Sequence, residues 1–131
     1  MRDMPAAQRA DLGAGTRFLD ALGRRDYDGL AACFADDATL RPIVPPGVRE
    51  ADGPEAIAER FRIWTEDAPD YELVEAEAAP FADLLRLRWA VRSTEAGAKE
   101  ATMFEQAAYA EVSGGLITAM RLACSGDRPL P

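Results

Sequence analysis

Between Leu84 and Thr94 apolar and polar side chains alternate. Leu85, Leu87, Trp89 and Val91 fall on one face of an extended chain, and Leu84, Arg86, Arg88 and Arg92 on the other. That period of two is the pattern of an antiparallel strand with one face on a core and one in water. A lone strand is not stable, so this one needs neighbours and a cover for its apolar face. Tyr71–Ala79, Lys99–Val112 and Leu116–Cys124 read as the neighbouring strands. Pro80-Phe81-Ala82, Glu95-Ala96-Gly97-Ala98 and Ser113-Gly114-Gly115 punctuate them.

Upstream the period lengthens to three and four. Leu12, Phe18, Leu19 and Leu22 form one stripe of a helix from Pro5 to Leu22, whose start Gly13 and Gly15 weaken. Gly23-Arg24-Arg25-Asp26 is a break, and Asp26 caps a second short helix, Tyr27 to Phe34, with Tyr27, Leu30, Cys33 and Phe34 inward. Ala35-Asp36-Asp37 turns into a strand near Ala38 to Val44, which Pro45-Pro46-Gly47 stops. After a loop over residues 45–53, Gly53-Pro54-Glu55 opens a third helix that runs to about Asp67 and buries Ile57, Phe61 and Trp64. Helices and strands segregate along the chain, so the fold class is α+β, with three helices and one antiparallel sheet. At 131 residues this is a single domain over 1–131, closed by a tail at 126–131.

Turn length predicts register. A two-residue Ala96-Gly97 loop sets Trp89 opposite Phe104, Leu87 opposite Gln106 and Arg88 opposite Glu105. In the last hairpin, Leu116, Thr118, Met120 and Leu122 form the more apolar face. To join Phe104, Gln106, Ala108 and Ala110, they need a three-residue, bulged turn at Ser113-Gly114-Gly115.

Composition narrows the function. The net charge of -8 argues against nucleic acid and anionic membrane as partners, since both need a basic face. Histidine is absent, which removes the easiest proton carrier near neutral pH and the commonest metal ligand. No metal or cofactor is expected. Cys33 and Cys124 lie far apart and read as free thiols in a reducing cytoplasm. No apolar stretch follows Arg2, and none is long enough to span a bilayer, so a cytoplasmic location is expected. Lys99 is the one lysine, and that bias toward arginine resembles the proteins of GC-rich bacteria.

The element order, with the stretches FLDALGRRDYDGLAACFADDATL, DGPEAIAERF, APDYELVEAE, LLRLRWAV and GGLITAMRLAC, resembles the nuclear transport factor 2-like superfamily. It looks most like the ketosteroid isomerase-like and SnoaL-like polyketide cyclase branch. The resemblance runs from about Thr16 to Cys124. It implies a cone-shaped curved sheet wrapped around the helices, a deep apolar cavity between them, and a homodimer through the outer sheet face. It also allows the isomerase chemistry to be tested position by position. Pro42 stands where the carboxylate base belongs, Phe18 where the tyrosine belongs, and Ala108 (or Glu105 in a shifted register) where the neutral aspartate belongs. Pro42 accepts no proton and Phe18 donates no hydrogen bond, so ketosteroid isomerase activity is not expected.

On that frame Phe18, Phe61 and Trp64 from the helices, with Leu87, Trp89, Phe104, Gln106 and Met120 from the sheet, are the expected lining of the cavity. They suit a small hydrophobic or aromatic molecule, with Gln106 as a polar orienter. The same stripes equally fit plain core packing. Asp36-Asp37 read as turn and cap residues, and the glutamates of 66–77 as a solvated face. Arg49, Glu50 and Asp52 sit in a loop that could roof the cavity. Arg86, Arg88 and Arg92 read as a cross-strand ladder of ion pairs. Both cysteines read as inert, with no base beside them. Two functions remain: proton-transfer chemistry of isomerase, cyclase or hydrolase type, or a non-catalytic ligand-binding or dimeric interaction domain.

Overall fold

The computed structural model describes residues 6–44, 47–48, 50–94, 97–126 and 128–129. Helix α1 spans Ala6–Arg24, α2 Tyr27–Ala31 and α3 Pro54–Thr65. Asp26 caps α2 as expected, its carboxylate accepting from Gly29 N–H at 3.0 Å. Helix α2 stops at Ala31 because the next residues join the sheet: Cys33 C=O accepts from Ile117 N–H at 2.8 Å. Gly53, at φ 87°, lies in the left-handed region immediately before Pro54.

Among the described residues eight strands form one curved, open sheet: β1 (Phe34–Val44), β2 (Gly47–Val48), β3 (Ala51–Asp52), β4 (Asp70–Phe81), β5 (Leu84–Thr94), β6 (Thr102–Ser113), β7 (Leu116–Cys124) and β8 (Arg128–Pro129). The main order is β2-β1-β7-β6-β5-β4, with β3 on β1 and β8 on β6. The α+β architecture forms as expected. All pairs are antiparallel except β1 with β7, which is parallel. Side-chain alternation is the same in either orientation, so the sequence pattern does not distinguish them. The terminal segment, expected as a tail, carries β8, which pairs Thr102 with Pro129.

Both hairpin registers differ in detail from expectation. Trp89 faces Gln106 and not Phe104, which faces Val91; Arg88 faces Ala107 and not Glu105. The β5–β6 connection is longer than two residues, with Ser93–Thr102 the last pair. A slip of two keeps every side chain on its face, so the inward set survives. The last hairpin closes with a two-residue turn, Gly114-Gly115, both at positive φ (61° and 81°). The extra residue sits one step later. Val112 pairs with Ile117 and Glu111 with Ala119, so Thr118 bulges. Ile117 therefore turns inward at 0% exposure, and Leu116, expected inward, is 39% exposed.

Helix α1 lies across β4 and β5. Gly15, expected only to weaken the helix, packs tightly against Leu85, Leu87 and Ala78 of the sheet. Phe18, Leu22, Leu30, Ile57, Phe61, Leu87, Val91 and Ile117 fill the space between helices and sheet without exposed surface to speak of. The Trp89 face is the inner one: Trp89 is buried and Arg88 exposed.

Candidate functional site

Register places Trp89, Gln106 and Cys124 side by side on the inner faces of β5, β6 and β7. The Trp89 indole Nε1–H donates to Gln106 Oε1 at 2.7 Å. Indole nitrogen can only donate, so this contact fixes which end of the Gln106 amide is oxygen. Phe104, two residues before Gln106, is buried on the same face. Helix α3 presents Phe61 and Trp64, three residues apart, with ring centroids 5.1 Å from each other. Phe61 is 6.4 Å from Trp89 and 5.4 Å from Phe18, and Phe18 is 5.4 Å from Trp89. These are edge and tilted contacts that favour the positive rim of one ring against the face of the next.

Exposure separates this set into two groups. Phe18, Phe61 and Leu87 are 0% exposed and Met120 is 1%. Side chains around a hollow wide enough for water would show accessible area, so these four are packing residues here. Trp64 and Cys124 are half-buried, while Gln106 keeps 5% and Phe104 8%. Of the expected lining, Trp64, Phe104 and Gln106 keep accessible surface, and so does Cys124, the register neighbour of Gln106. Buried polar residues among those described are Thr65, Ser93 and Gln106.

A latch at the far end of α3 holds this helix over the sheet. The Arg25 guanidinium donates to Thr65 C=O at 3.2 Å and Ala68 C=O at 2.6 Å, and lies 4.7 Å from the Tyr71 ring centroid. Tyr71 donates its hydroxyl to Leu22 C=O at 3.0 Å, and the Tyr27 and Thr65 hydroxyls share a 2.7 Å hydrogen bond. Burial pushes the Tyr71 hydroxyl well above the usual phenol range. Sequence reasoning took 23–26 only as a break. Gly23 suggested the helix end there, whereas α1 runs through it to Arg24 and Arg25 takes the left-handed conformation at φ 54°.

The other candidates fall outside this cluster. Pro42 is buried in β1 opposite Leu122, Ala108 is buried, and Glu105 is exposed on the outer face. Glu50 and Asp52 pair with Arg41 on β1, at 3.7 and 2.9 Å, and Arg49 lies outside the described residues. Arg86 pairs with Glu77 on β4 at 2.9 Å, so the ion-pair ladder leans toward β4. Burial raises the Cys33 thiol and disfavours its thiolate. A cleft of about 830 Å³ crosses β4–β7, and its lining takes in Trp89, Gln106 and Cys124 as well as the outward row of Glu77, Arg88, Ala107 and Ala123. A second, of about 750 Å³, is rimmed by Asp28, Asp36, Asp52 and Glu55 around the start of α3. Among the described residues no group of three or more His, Cys, Asp or Glu is arranged to hold a metal. No described helix is long and apolar enough to cross a membrane.

A family model described as a SnoaL-like domain matches residues 16–120. No curated protein matches the chain. Solved structures share the fold at low identity. A protein with a ketosteroid isomerase-like fold from Catenulispora acidiphila, in complex with trimethylamine, is 17% identical over 83% of this chain and 82% of its own, with a TM-score of 0.70. A putative polyketide cyclase from Xanthomonas campestris is 16% identical over 90% of this chain and 92% of its own, with a TM-score of 0.71. An epoxide hydrolase of LEH-like type from M. tuberculosis is 18% identical over 91% of this chain and 85% of its own, with a TM-score of 0.68.

Proposed function

Because the chain belongs to the SnoaL-like domain family, we propose that it is a single-domain protein that holds a small hydrophobic or aromatic molecule against the inner sheet face. The molecule sits at Trp64, Phe104, Gln106 and Cys124, with the packed rings of Phe18, Phe61 and Trp89 behind them. The observation that carries this reading is Gln106: a buried amide on an apolar face, held by Trp89 at 2.7 Å, beside the residues that keep accessible surface. A polar group kept there at a desolvation cost is the usual orienter of an otherwise apolar site. The free thiols of Cys33 and Cys124 suit a cytoplasmic protein.

Binding without turnover is the reading that the buried polar set favours, since Thr65, Ser93 and Gln106 hold no carboxylate to move a proton. The likeness to a putative polyketide cyclase and an epoxide hydrolase favours chemistry on the same ligand. A homodimer through the outer face is supported by the exposed Phe81 and Tyr109 rings, 5.4 Å apart, beside the Ala107–Ala123 cleft. A panel of aromatic hydrocarbons and ketones, read by thermal shift and titration calorimetry, tests binding. Turnover assays on enol and epoxide substrates then separate the enzyme from the binding domain. A panel in which no apolar compound shifts the melting transition sinks the proposal.

A further inference from the structure

Resting on that reading, we infer that Trp89 is a positioning residue that biases the site toward acceptor ligands: it locks the Gln106 amide so that its oxygen faces the indole and its N–H groups face away. The argument is one of hydrogen-bond inventory. A glutamine amide has one oxygen that accepts through two lone pairs and one nitrogen that carries two hydrogens. The indole N–H donates and cannot accept, so it captures the oxygen at 2.7 Å and turns Nε2 away from Trp89. Flipping the amide would set N–H against N–H in a buried place, leaving two donors unpaired at a cost of about 1–3 kcal/mol each. Among the described residues the bond to Trp89 is the one that the Gln106 side chain makes.

The indole itself is held. Phe18 and Phe61 pack on it at 5.4 and 6.4 Å, and Trp89 is 2% exposed, so it has no other place to aim its N–H. An apolar molecule that approaches Gln106 from the side away from Trp89 therefore meets its N–H groups, while the oxygen faces the indole. A carbonyl oxygen satisfies them, and an amine or aniline N–H does not. Cys124, the register neighbour of Gln106, offers sulfur, whose weak hydrogen bonding adds little for a donor ligand. Discrimination of this kind is worth more than one hydrogen bond suggests, because the wrong ligand buries an unpaired donor of its own.

The test uses three molecules of one shape: indane, indanone and ring-substituted aminoindane, a neutral aniline. Affinities are measured by titration for the wild type, Q106E and W89F. Q106E keeps an oxygen for the indole but removes the amide donors. The indanone-to-indane affinity ratio is expected to fall about threefold to tenfold in Q106E. W89F frees the amide oxygen, so the preference for indanone over aminoindane is expected to shrink by a similar factor. A residue with a merely structural role would move all three affinities together. Should Q106E not fold, amide proton–nitrogen spectra of the wild type give the same answer. The Gln106 side-chain NH₂ pair moves with indanone and stays with indane. If indane and indanone both fail to bind, the site reading falls and this inference with it. If indane binds but the ratios are equal in all three proteins, or the NH₂ pair ignores indanone, the inference about Trp89 and Gln106 alone is overturned.

Discussion

Gly15 of α1 lies against Leu85 of β5 so closely that a Cβ on the glycine would stand 2.8 Å from Leu85 Cδ2. The same atom would be 3.0 Å from Leu87 Cδ2 and 3.2 Å from Ala78 Cβ. Both leucines are fully buried, and an alanine Cβ cannot rotate away, so the contact has no soft side. Gly13, one half-turn earlier, would meet only the tip of Arg17 at 3.3 Å.

These two glycines therefore predict opposite effects of one substitution. Alanine in a helix interior is about 0.5–1 kcal/mol better than glycine. Gly13→Ala should stabilise by about that amount. Gly15→Ala gains the same propensity but overpacks the helix–sheet contact by about 1–3 kcal/mol, so the net effect is a loss. Urea unfolding of both variants checks the pair, and a Gly15→Ala protein as stable as wild type refutes the close approach.

Tyr71 predicts an alkaline limit. Its hydroxyl donates to Leu22 C=O and burial raises its folded-state pKa above the unfolded value of about 10. A raised folded pKa means that the native state binds more protons in the window above the unfolded pKa. The stabilisation is therefore fully present below about pH 10 and is lost as pH climbs from there. Stability measured across that range should fall for the wild type and fall less steeply for Tyr71→Phe. Parallel curves for the two proteins count against a buried neutral Tyr71.

The bulge at Thr118 predicts an inversion within one dipeptide. Leu116 is the more regular apolar choice by sequence, yet it faces solvent while Ile117 is buried. Ile117→Ala should cost about 2–4 kcal/mol through lost burial and the cavity left behind. Leu116→Ala should stay within about 0.5 kcal/mol. Equal losses at the two sites would restore the three-residue turn.

Phe61 and Trp64 sit on the same face of α3 but are predicted to differ in kind. Phe61 touches Phe18, Trp64 and Trp89 and has no exposed surface. Phe61→Ala should cost about 3–5 kcal/mol of stability. Half-buried Trp64 should cost clearly less when truncated, while the affinity for indane drops. Calorimetry on Trp64→Ala is decisive: unchanged indane affinity removes that ring from the site.

Periodicity alone was enough for much of this molecule. The spacing of Leu84–Thr94 located β5 to the residue, Gly53-Pro54 located the start of α3, and alternation put Trp89, Gln106 and Met120 on the inner face. Such features are local: one turn of helix or one pleat decides which way a side chain points. The tertiary structure alone decided the parallel β1–β7 pair, the two-residue shift that brings Gln106 opposite Trp89, the bulge that exchanges Leu116 for Ile117, and the Arg25 latch under α3. Each depends on where distant segments meet, and a side-chain pattern repeats identically under a slip of two or a reversal of strand direction. Only packing and the pairing of buried polar groups break that degeneracy, which is why the orientation of one amide had to wait for the fold.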